Sequence, residues 1–334
     1  MNDIALYPLR FQPIYEYRPW GGRRLGHLLS AALPGDGPIG EAWVLSDREE
    51  HPSIVANGLL AGRTLPELLQ QSPERLLGSH GGGGKRFPLL LKFLDVSKRL
   101  SVQVHPSDEH PEFLPGTDSG KDEAWVVIEH GPEARIYAGL QPNASEHVLR
   151  QAIANDSLPQ QLASFAPEDG DSVFIPAGTV HALGDVVVFE VQQNSDVTFR
   201  LYDWNNVDAK TGQPRPLQVE KAIACVDFKQ GAVGPGIPHS QQTGPVLREL
   251  LVECDHFDVT RIAGRVPFDV GAADVPRVLV GLSGSAKLRH GDFDYSLAKG
   301  DVLLLAAELG ACSCRPDGVA TVLEIALPHA EVRP

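Results

Sequence analysis

The sequence predicts a mainly β protein that consists of two jelly-roll β-barrels with a small helical insertion. Short apolar segments recur between Gly- and Pro-containing turns along most of the 334 residues, which is typical of barrels and sandwiches. A weak internal repeat adds to this pattern. GDSVFIPAGTVH begins at Gly170 and GDVLLLAAELGA begins at Gly300, and each is Gly-Asp followed by an apolar strand. The repeat indicates two similar barrels.

The alternation of apolar segments and turns predicts the elements in chain order. Helices are expected at 63–78, where leucines recur at helical spacing up to a break at Pro73, and at 144–165, the helical insertion. The glycine run 81–84 lacks the residues of a phosphate-binding loop and predicts a flexible turn. The predicted strands are EAWVLSD (41–47), SIVANG (53–58), two strands within PLLLKFLDVSKRLSVQV, KDEAWVVIE (121–129), EARIYAGL (133–140), DSVFIPA, DVVVFEVQQ and VTFRLYDW.

The two copies of the repeat differ at one position that matters for chemistry. The first copy has His181 where the second has Ala311. We therefore expect residues 1–235 to form a barrel that carries a polar site and the helical insertion near 144–165. Residues 240–334 are expected to form a second barrel without metal ligands.

Composition excludes several classes of function. The net charge of −14 argues against nucleic acid and anionic membranes as partners, and no apolar run is long enough to span a membrane. The first fifteen residues do not resemble a signal peptide, and the four cysteines are few and unevenly spaced. These features predict a cytoplasmic protein with reduced thiols. Cys312 and Cys314 have no second pair at the spacing of a structural zinc site.

Two polar motifs carry the predicted chemistry. Gly170-x5-Pro176-x-Gly178-x2-His181 fits the second motif of the cupin barrels, in which the histidine is a metal ligand, although Asp185 replaces the usual asparagine. Upstream, Gln103 and His105 point to one face of a predicted strand because side chains alternate with period 2. The usual first cupin motif is His-x-His followed closely by Glu, whereas here Gln103 replaces the first histidine and seventeen residues separate His105 from Glu123.

This departure from the cupin pattern resembles the zinc-dependent type I mannose-6-phosphate isomerases, in particular their short bacterial form. Gln-x-His-Pro, Gly-Lys-x-Glu and Pro-x-Gly-x-x-His occur here in that order. The likeness extends over roughly residues 15–225 and fades in the last hundred. Similar stretches include PWGGRRLG (19–26), IGEAWVLSD (39–47), VANGLLAGRTLPELL (55–69), LLLKFLDVSKRLSVQVHPSDEHP (89–111), GKDEAWVV (120–127), IPAGTVHALG (175–184) and EVQQNSDVTFRLYDW (190–204).

The resemblance implies a metal-dependent conversion of mannose 6-phosphate to fructose 6-phosphate through a cis-enediol(ate), with one zinc ion per chain. It implies the metal ligands Gln103, His105, Glu123 and His181. Two imidazoles, one carboxylate and one amide oxygen are acceptable zinc ligands, but manganese, cobalt and iron accept them too. As a weaker donor than a third imidazole, Gln103 would leave the metal more electrophilic.

Further residues of the same stretches are expected to act on a small sugar phosphate. The resemblance assigns Arg200 to the active site, where a fixed guanidinium can hold a phosphate or stabilise a developing enediolate. Lys121 and Ser101 match substrate-side residues, and Lys92 is a further candidate for substrate binding. Candidates for the base are Glu190, Asp196 and a water molecule held at the metal. The lysine that follows the arginine in longer relatives is absent, so part of the phosphate contact must come from elsewhere.

Several alternatives stay open at the level of sequence. Gln103 and His105 could form a buried hydrogen-bonded pair, and Arg200 could form a structural salt bridge with Asp196 or Asp203. A cupin oxygenase would require a His-x-His site, which is absent. A non-catalytic sugar-binding or regulatory cupin, or a cupin isomerase that prefers another sugar, is an alternative to the mannose-6-phosphate isomerase. No feature of the sequence predicts an oligomeric state.

Overall fold

The protein is mainly β, as the sequence predicts. The computed structural model describes residues 5–80, 86–116, 118–208 and 211–328, so the glycine run 81–84 lies outside the described residues. As far as residue 202, the strands are β1 (Ile14–Gly22), β2 (Ile39–Leu45), β3 (Asp47–Arg48), β4 (His51–Pro52), β5 (Leu89–Val96), β6 (Val102–Val104), β7 (Glu123–Leu140), β8 (Leu162–Phe165), β9 (Ser172–Ile175), β10 (His181–Gln193) and β11 (Phe199–Tyr202).

The remaining strands follow residue 238. They are β12 (His239–Thr243), β13 (Val246–Glu253), β14 (Asp258–Gly264), β15 (Phe268–Val270), β16 (Arg277–Ser283), β17 (Ser285–His290), β18 (Phe293–Ala298), β19 (Val302–Leu305), β20 (Cys312–Pro316) and β21 (Ala320–Ala326). The helices are α1 (Arg24–Leu28), α2 (Leu65–Gln71), α3 (Pro73–Leu77), α4 (Glu146–Ala154) and α5 (Val219–Cys225), with 3-10 turns at Gly58–Leu60, Gly78–His80, Pro111–Phe113, Leu158–Gln161 and Ala307–Leu309.

Strand β10 is the centre of a nine-stranded sheet that curls on itself. The order of the sheet is β1-β2-β5-β10-β6-β11, and β7 pairs with β10, β8 and β9. The side chains of β10 alternate between two buried faces. Phe189 and Val191 pack into one hydrophobic core, whereas Val186 and Val188 pack into another. Because β10 is covered on both faces, its sequence is an almost continuous apolar run.

The second half of the chain forms two smaller antiparallel sheets. One has the order β12-β13-β14-β21-β16-β19 and the other has the order β15-β20-β17-β18. Apolar side chains from both sheets, among them Ile262, Leu279, Leu288 and Cys314, fill the space between them. In the two repeat copies, Gly170 and Gly300 both have a positive φ, 90° and 84°, and each precedes a strand.

The two halves of the chain pack against each other. Leu9 exchanges main-chain hydrogen bonds of 2.9 and 2.8 Å with Leu304, and one hydrophobic core contains residues from both halves, such as Leu91 and Phe257. The division into domains at residues 1–235 and 240–334 stays a prediction. Among the described residues, no helix combines the length and apolar character that a membrane crossing requires.

The structure corrects three predicted elements. SIVANG (53–58) is not a strand, because Ile54 and Val55 form only isolated bridges to Thr64 and Phe11. The predicted strands at 121–129 and 133–140 are one continuous strand, β7. The helix expected over 144–165 is shorter: α4 begins after its cap Ser145, ends at Ala154, and is followed by a 3-10 turn and β8.

Helix 63–78 is confirmed as two short helices that meet at Ser72 and Pro73. Thr64 caps α2, since its side chain accepts a hydrogen bond from Glu67 N while the Glu67 carboxylate accepts one from Thr64 N. The helix breaks where expected, because proline has no N–H to donate to the preceding turn.

Candidate metal centre and active site

Three buried side chains could together hold a metal ion: His105, Glu123 and His181. One ligand atom from each lies within 4.8 Å of the others. His105 follows β6, Glu123 begins β7, and His181 begins β10, so the site forms where three neighbouring strands meet. Their side chains are at most 1% exposed. Such burial disfavours charge, so the one carboxylate of the cluster requires cationic partners.

The main chain fixes the orientation of both imidazoles. Nδ1 of His105 lies 2.8 Å from the carbonyl of Val197, and Nδ1 of His181 lies 2.9 Å from the carbonyl of Thr179. Because a carbonyl only accepts, each Nδ1 carries the proton and each Nε2 keeps its lone pair. Burial is the largest cause that lowers the pKa of both rings, to about 3 for His181, so both are neutral at pH 7. Neutral imidazole is the form that binds metals.

Glu123 is ionised between these two rings. Burial acts to raise its pKa, but the charge of Lys121 and the contacts with the two imidazoles outweigh burial and hold the pKa well below the usual range. Oε1 of Glu123 lies 3.3 Å from Nε2 of His181, and Oε2 lies 3.4 Å from Nε2 of His105. Oε1 is buried and accepts no hydrogen bond from the residues that the structure describes. Lone pairs that converge in this way fit a divalent cation bound by nitrogen and oxygen donors.

Gln103 lies beside the cluster, at the cavity. It is the cross-strand partner of both His181 in β10 and Arg200 in β11. Its amide nitrogen is 3.1 Å from Nε2 of His181, whose lone pair accepts the hydrogen bond. The buried Gln103–His105 pair is therefore not formed, since the amide contacts the other histidine. A rotation of the amide by 180° would turn its oxygen towards the ligand atoms of the cluster.

Lys121 joins the cluster to a cavity. Its ammonium contacts Oε2 of Glu123 and lies 3.1 Å from Nε2 of His105. The adjacent cavity has a volume of about 460 Å³. Its lining includes Gln103 and every residue that the sequence assigned to substrate binding, namely Lys92, Ser101, Lys121 and Arg200, together with both candidate bases, Glu190 and Asp196. The structure thus brings the two predicted residue groups to one site.

Glu190 is a buried carboxylate on the cavity wall. It is the cross-strand partner of Lys92 and of Trp125, whose indole N–H donates to Oε1 over 3.1 Å. Burial raises the pKa of Glu190, Lys121 and Lys92 oppose the shift, and the net direction is upward. For Asp196, burial also acts upward, but Lys92 and Lys121 outweigh it and lower its pKa. Glu190 is accordingly the stronger base of the two carboxylates.

Arg200 and Ser101 reach the cavity with polar atoms that lack partners. Nε of Arg200 and Oγ of Ser101 are buried and make no hydrogen bond to the described residues. Arg200 forms no ion pair with Asp196 or Asp203; Asp203 pairs with Arg215 instead. The alternative in which Arg200 is a structural salt-bridge residue is therefore wrong for this structure.

Comparison with known proteins agrees with this site. The family model of the phosphomannose isomerase type I catalytic domain matches residues 9–160. The chain is 34% identical over 312 residues to the mannose-6-phosphate isomerase ManA of Bacillus subtilis, which covers 91% of this chain and 94% of that protein. The chain belongs to the type I phosphomannose isomerase family. The chain is also 33% identical to a mannose-6-phosphate isomerase of Streptococcus mutans, and the alignment covers 89% of this chain and 92% of that protein.

A solved structure of the same family confirms the cupin-type fold class. The crystal structure of the mannose 6-phosphate isomerase from Bacillus subtilis superposes with a TM-score of 0.87 at 29% identity. The alignment covers 96% of this chain and 99% of that one. The match includes the last hundred residues, where the sequence motifs of type I phosphomannose isomerases fade.

The cavity of this phosphomannose isomerase family member also contains residues that the motifs do not indicate. They include Arg18, Glu41 and Arg215. Glu41 accepts hydrogen bonds from Arg18 and, over 2.7 Å, from the indole N–H of Trp43. A carboxylate inside the apolar strand IGEAWVL was a visible signal for Glu41. Arg215 lies between two prolines in a segment without periodicity, so no local pattern indicates it.

Proposed function

We propose that this protein interconverts mannose 6-phosphate and fructose 6-phosphate by moving a proton between C2 and C1. One observation carries the proposal: Lys121 and Gln103, which contact the cluster of His105, Glu123 and His181, also line a cavity. The same cavity is lined by a buried carboxylate with a raised pKa and by an arginine whose Nε lacks a partner among the described residues. Named mannose-6-phosphate isomerases are 30–34% identical to the chain over most of its length, which supports the same reaction here.

We infer that the cluster holds one zinc ion through His105, Glu123, His181 and the amide oxygen of Gln103. The orphaned Oε1 of Glu123 and the two unprotonated Nε2 atoms fit such an ion. A bound divalent ion would supply Lewis-acid polarisation of the substrate oxygens. Ligation by Gln103 would leave one negative protein ligand, so the site would keep a net positive charge.

The proton chemistry is assigned to Glu190. Its carboxylate takes the C2 proton of the aldose, which leaves an enediolate, and returns the proton to C1 to form the ketose. The hydroxyl proton moves from O2 to O1 in the same exchange, so no atom is gained or lost. A raised pKa suits this role, because a base near the working pH is both ionised and strong enough to act.

The remaining side chains bind and orient the substrate. Lys121, whose ammonium contacts Glu123, would donate to a substrate oxygen near the metal. The buried Ser101 hydroxyl, the Arg200 guanidinium and the Lys92 ammonium would satisfy further oxygens of the sugar phosphate. Each of these side chains lines the cavity from a buried or half-buried position.

We also propose a cytoplasmic location and a division of labour between the halves. All four cysteines are free and buried, which suits a reducing compartment. Within 1–235 lie the proposed metal ligands, whereas the described residues of 240–334 contain no group of metal-capable side chains. The second barrel would act as a structural partner.

The test is a coupled assay of fructose 6-phosphate formation by protein stripped with a chelator and then reloaded with zinc. We expect turnover to vanish on stripping and to return with zinc. His105→Ala should bind no zinc, whereas the matched control His130→Ala should behave as wild type, because His130 is exposed and pairs with Asp169. Zinc binding without turnover would reject the reaction in favour of a non-catalytic or differently selective cupin. Absence of zinc binding in the wild type would reject the metal centre.

A further inference from the structure

The lining of the cavity includes three arginines: Arg18, Arg200 and Arg215. They differ in how many of their donors are already used. Arg18 donates to Glu41 through Nε and Nη2, over 2.9 and 3.1 Å, and to Glu16 through Nη1 over 3.3 Å. The charge and most of the N–H donors of Arg18 are therefore paired within the protein, so few donors remain for a ligand.

An ion pair fixes the Arg215 guanidinium but engages only two of its three nitrogens. Nε and Nη2 donate to the two carboxylate oxygens of Asp203 over 2.8 and 2.5 Å, which is the bidentate geometry of a strong arginine–carboxylate pair. Nη1 makes no hydrogen bond in the part of the chain that the structure describes. The Arg215 side chain is 15% exposed and that of Asp203 is 7% exposed. Asp203 thus fixes the plane of a guanidinium that keeps two donors for a ligand.

Arg200 is placed beside Arg215 by the main chain. Gln218, three residues after Arg215, donates its N–H to the carbonyl of Arg200 over 2.9 Å and accepts from the N–H of Arg200 over 3.0 Å. Nε of the Arg200 guanidinium is buried and makes no hydrogen bond to the described residues. Burial and then the charge of Arg215 lower the pKa of Arg200, and the nearby carboxylates of Asp203 and Asp196 only partly oppose this shift.

We propose that Arg215, oriented by Asp203, contacts the phosphate group of the substrate together with Arg200 and sets the preference for phosphorylated over unphosphorylated sugars. The inference rests on the proposed function for the identity of the anion as a sugar phosphate. Planar guanidinium forks match phosphate oxygens in geometry and in charge. Longer relatives place a lysine within a few residues after the arginine; that lysine is absent here, and Arg215 supplies a cation at the cavity instead.

Arg215 is a specificity-determining residue with no part in the proton transfer. The phosphate on C6 is remote from C1 and C2 and does not change during the reaction. An interaction with it has equal strength in the bound substrate and in the transition state, so its loss raises KM and leaves kcat nearly unchanged. Loss of a general base or of the metal would lower kcat instead, which separates the two kinds of role.

The kinetic test compares Arg215→Met with Arg289→Met in the zinc-loaded full-length protein. Arg289 is a matched control, because it also pairs with one aspartate, Asp294, but lies on the second barrel away from the cavity. We expect Arg215→Met to raise KM for mannose 6-phosphate about 10- to 100-fold, with kcat within about threefold of wild type. Arg215→Lys should recover part of the loss, and Arg289→Met should change neither constant. An unchanged KM in a folded, zinc-loaded Arg215→Met protein would overturn the proposal.

A binding measurement separates this proposal from the reaction itself. The probe is inorganic phosphate, titrated calorimetrically into the zinc-loaded wild type, Arg215→Met and Asp203→Asn proteins. We expect weaker phosphate binding in both variants, and Asp203→Asn serves if Arg215→Met does not fold. Equal phosphate affinity in wild type and variants, or no measurable phosphate binding in the wild type, overturns the anion site. Arg215-dependent phosphate binding without isomerase turnover keeps the anion site and rejects the proposed reaction.

Discussion

Lys92 of β5 and Glu190 of β10 are direct cross-strand partners on the cavity wall, with Nζ 3.7 Å from Oε2. Both side chains are at most 5% exposed. The ammonium also lies 4.6 Å from the ring centroid of Trp43 and 3.5 Å from Asp196. Lys92 thus divides its charge between two carboxylates and a ring face. This sharing leaves burial as the dominant influence on Glu190, whose pKa is raised.

The raised pKa of Glu190 predicts how the reaction rate depends on pH. The carboxylate must be ionised to accept the C2 proton, so kcat/KM should fall as the pH drops through its pKa. We expect the acid limb to lie above the ordinary value of 4.5. The measurement is kcat/KM against pH, with the zinc content determined at each pH so that metal loss is not mistaken for protonation. A rate that is flat down to pH 4.5 at full zinc occupancy would contradict the assignment.

Removal of the Glu190 carboxylate should slow catalysis without much effect on binding. Glu190→Gln keeps the shape and the acceptor for the Trp125 indole but cannot take a proton, so we expect kcat to fall roughly 10²- to 10⁴-fold. KM should change little, because the amide still fills the same space. Glu190→Asp should retain more activity than the amide. A kcat near wild type in Glu190→Gln would move the base role to Asp196 or to water.

Gln103→His tests why an amide stands where most cupins have a third imidazole. Imidazole is the better donor, so the variant should bind zinc more tightly and polarise the substrate less. We expect a lower kcat together with a lower dissociation constant for zinc, measured by competition with a chromophoric chelator. Thr198→Ser, a conservative change on the same cavity, is the control. A rise in kcat would reject the idea that the weak ligand aids the reaction.

The metal-capable residues were predictable from sequence because their spacing is local and unusual. Gln-x-His-Pro and Pro-x-Gly-x-x-His each place ligands at a strand end, and β6 and β10 then bring them together through the pair His181–Gln103. The roles of those residues stay predictions. The position of Arg215 at the cavity could not be predicted from the sequence. It depends on the contacts of Gln218 and Asp203, which fold a loop against β11. The errors at 53–58 and 162–165 have the same origin, since pairing with distant strands decides both segments.

Ionisation of the Asp47 carboxyl should lower the free energy of unfolding as the pH rises. The Asp47 side chain is buried, Oδ2 accepts a hydrogen bond from the N–H of Phe87 over 2.6 Å, and Oδ1 has no hydrogen-bond partner among the described residues. Burial raises its pKa to about 6. The folded state therefore favours the neutral acid, which stabilises the fold at pH 4 and ceases to do so as the pH rises through 6. Asp47→Asn should be more stable than wild type at pH 8 by roughly 1–3 kcal/mol. At pH 4 the two should unfold alike in urea; an equal difference at both pH values would exclude titration of Asp47.

The substitution Gly139→Ala, which adds one methyl group near the site, should strongly destabilise the protein. Gly139 lies in β7 with φ of +78°, its N–H donates to Val180 O over 2.8 Å, and an added Cβ would lie 1.8 Å from the carbonyl oxygen of Gly231. That oxygen belongs to the main chain and cannot rotate away. We expect Gly139→Ala to destabilise the protein by about 3 kcal/mol or more, measured by urea unfolding.

Gly244→Ala is the matched control for that substitution. Gly244 has φ of +56° in an open turn, with nothing within 4 Å of an added Cβ, so only the backbone conformation opposes the methyl group. Gly244→Ala should lower the free energy of unfolding by about 1 kcal/mol. Because Val180 precedes His181, Gly139→Ala should also weaken zinc binding, whereas Gly244→Ala should not. Equal losses of stability in the two variants would show that φ, and not the contact with Gly231, requires glycine at residue 139.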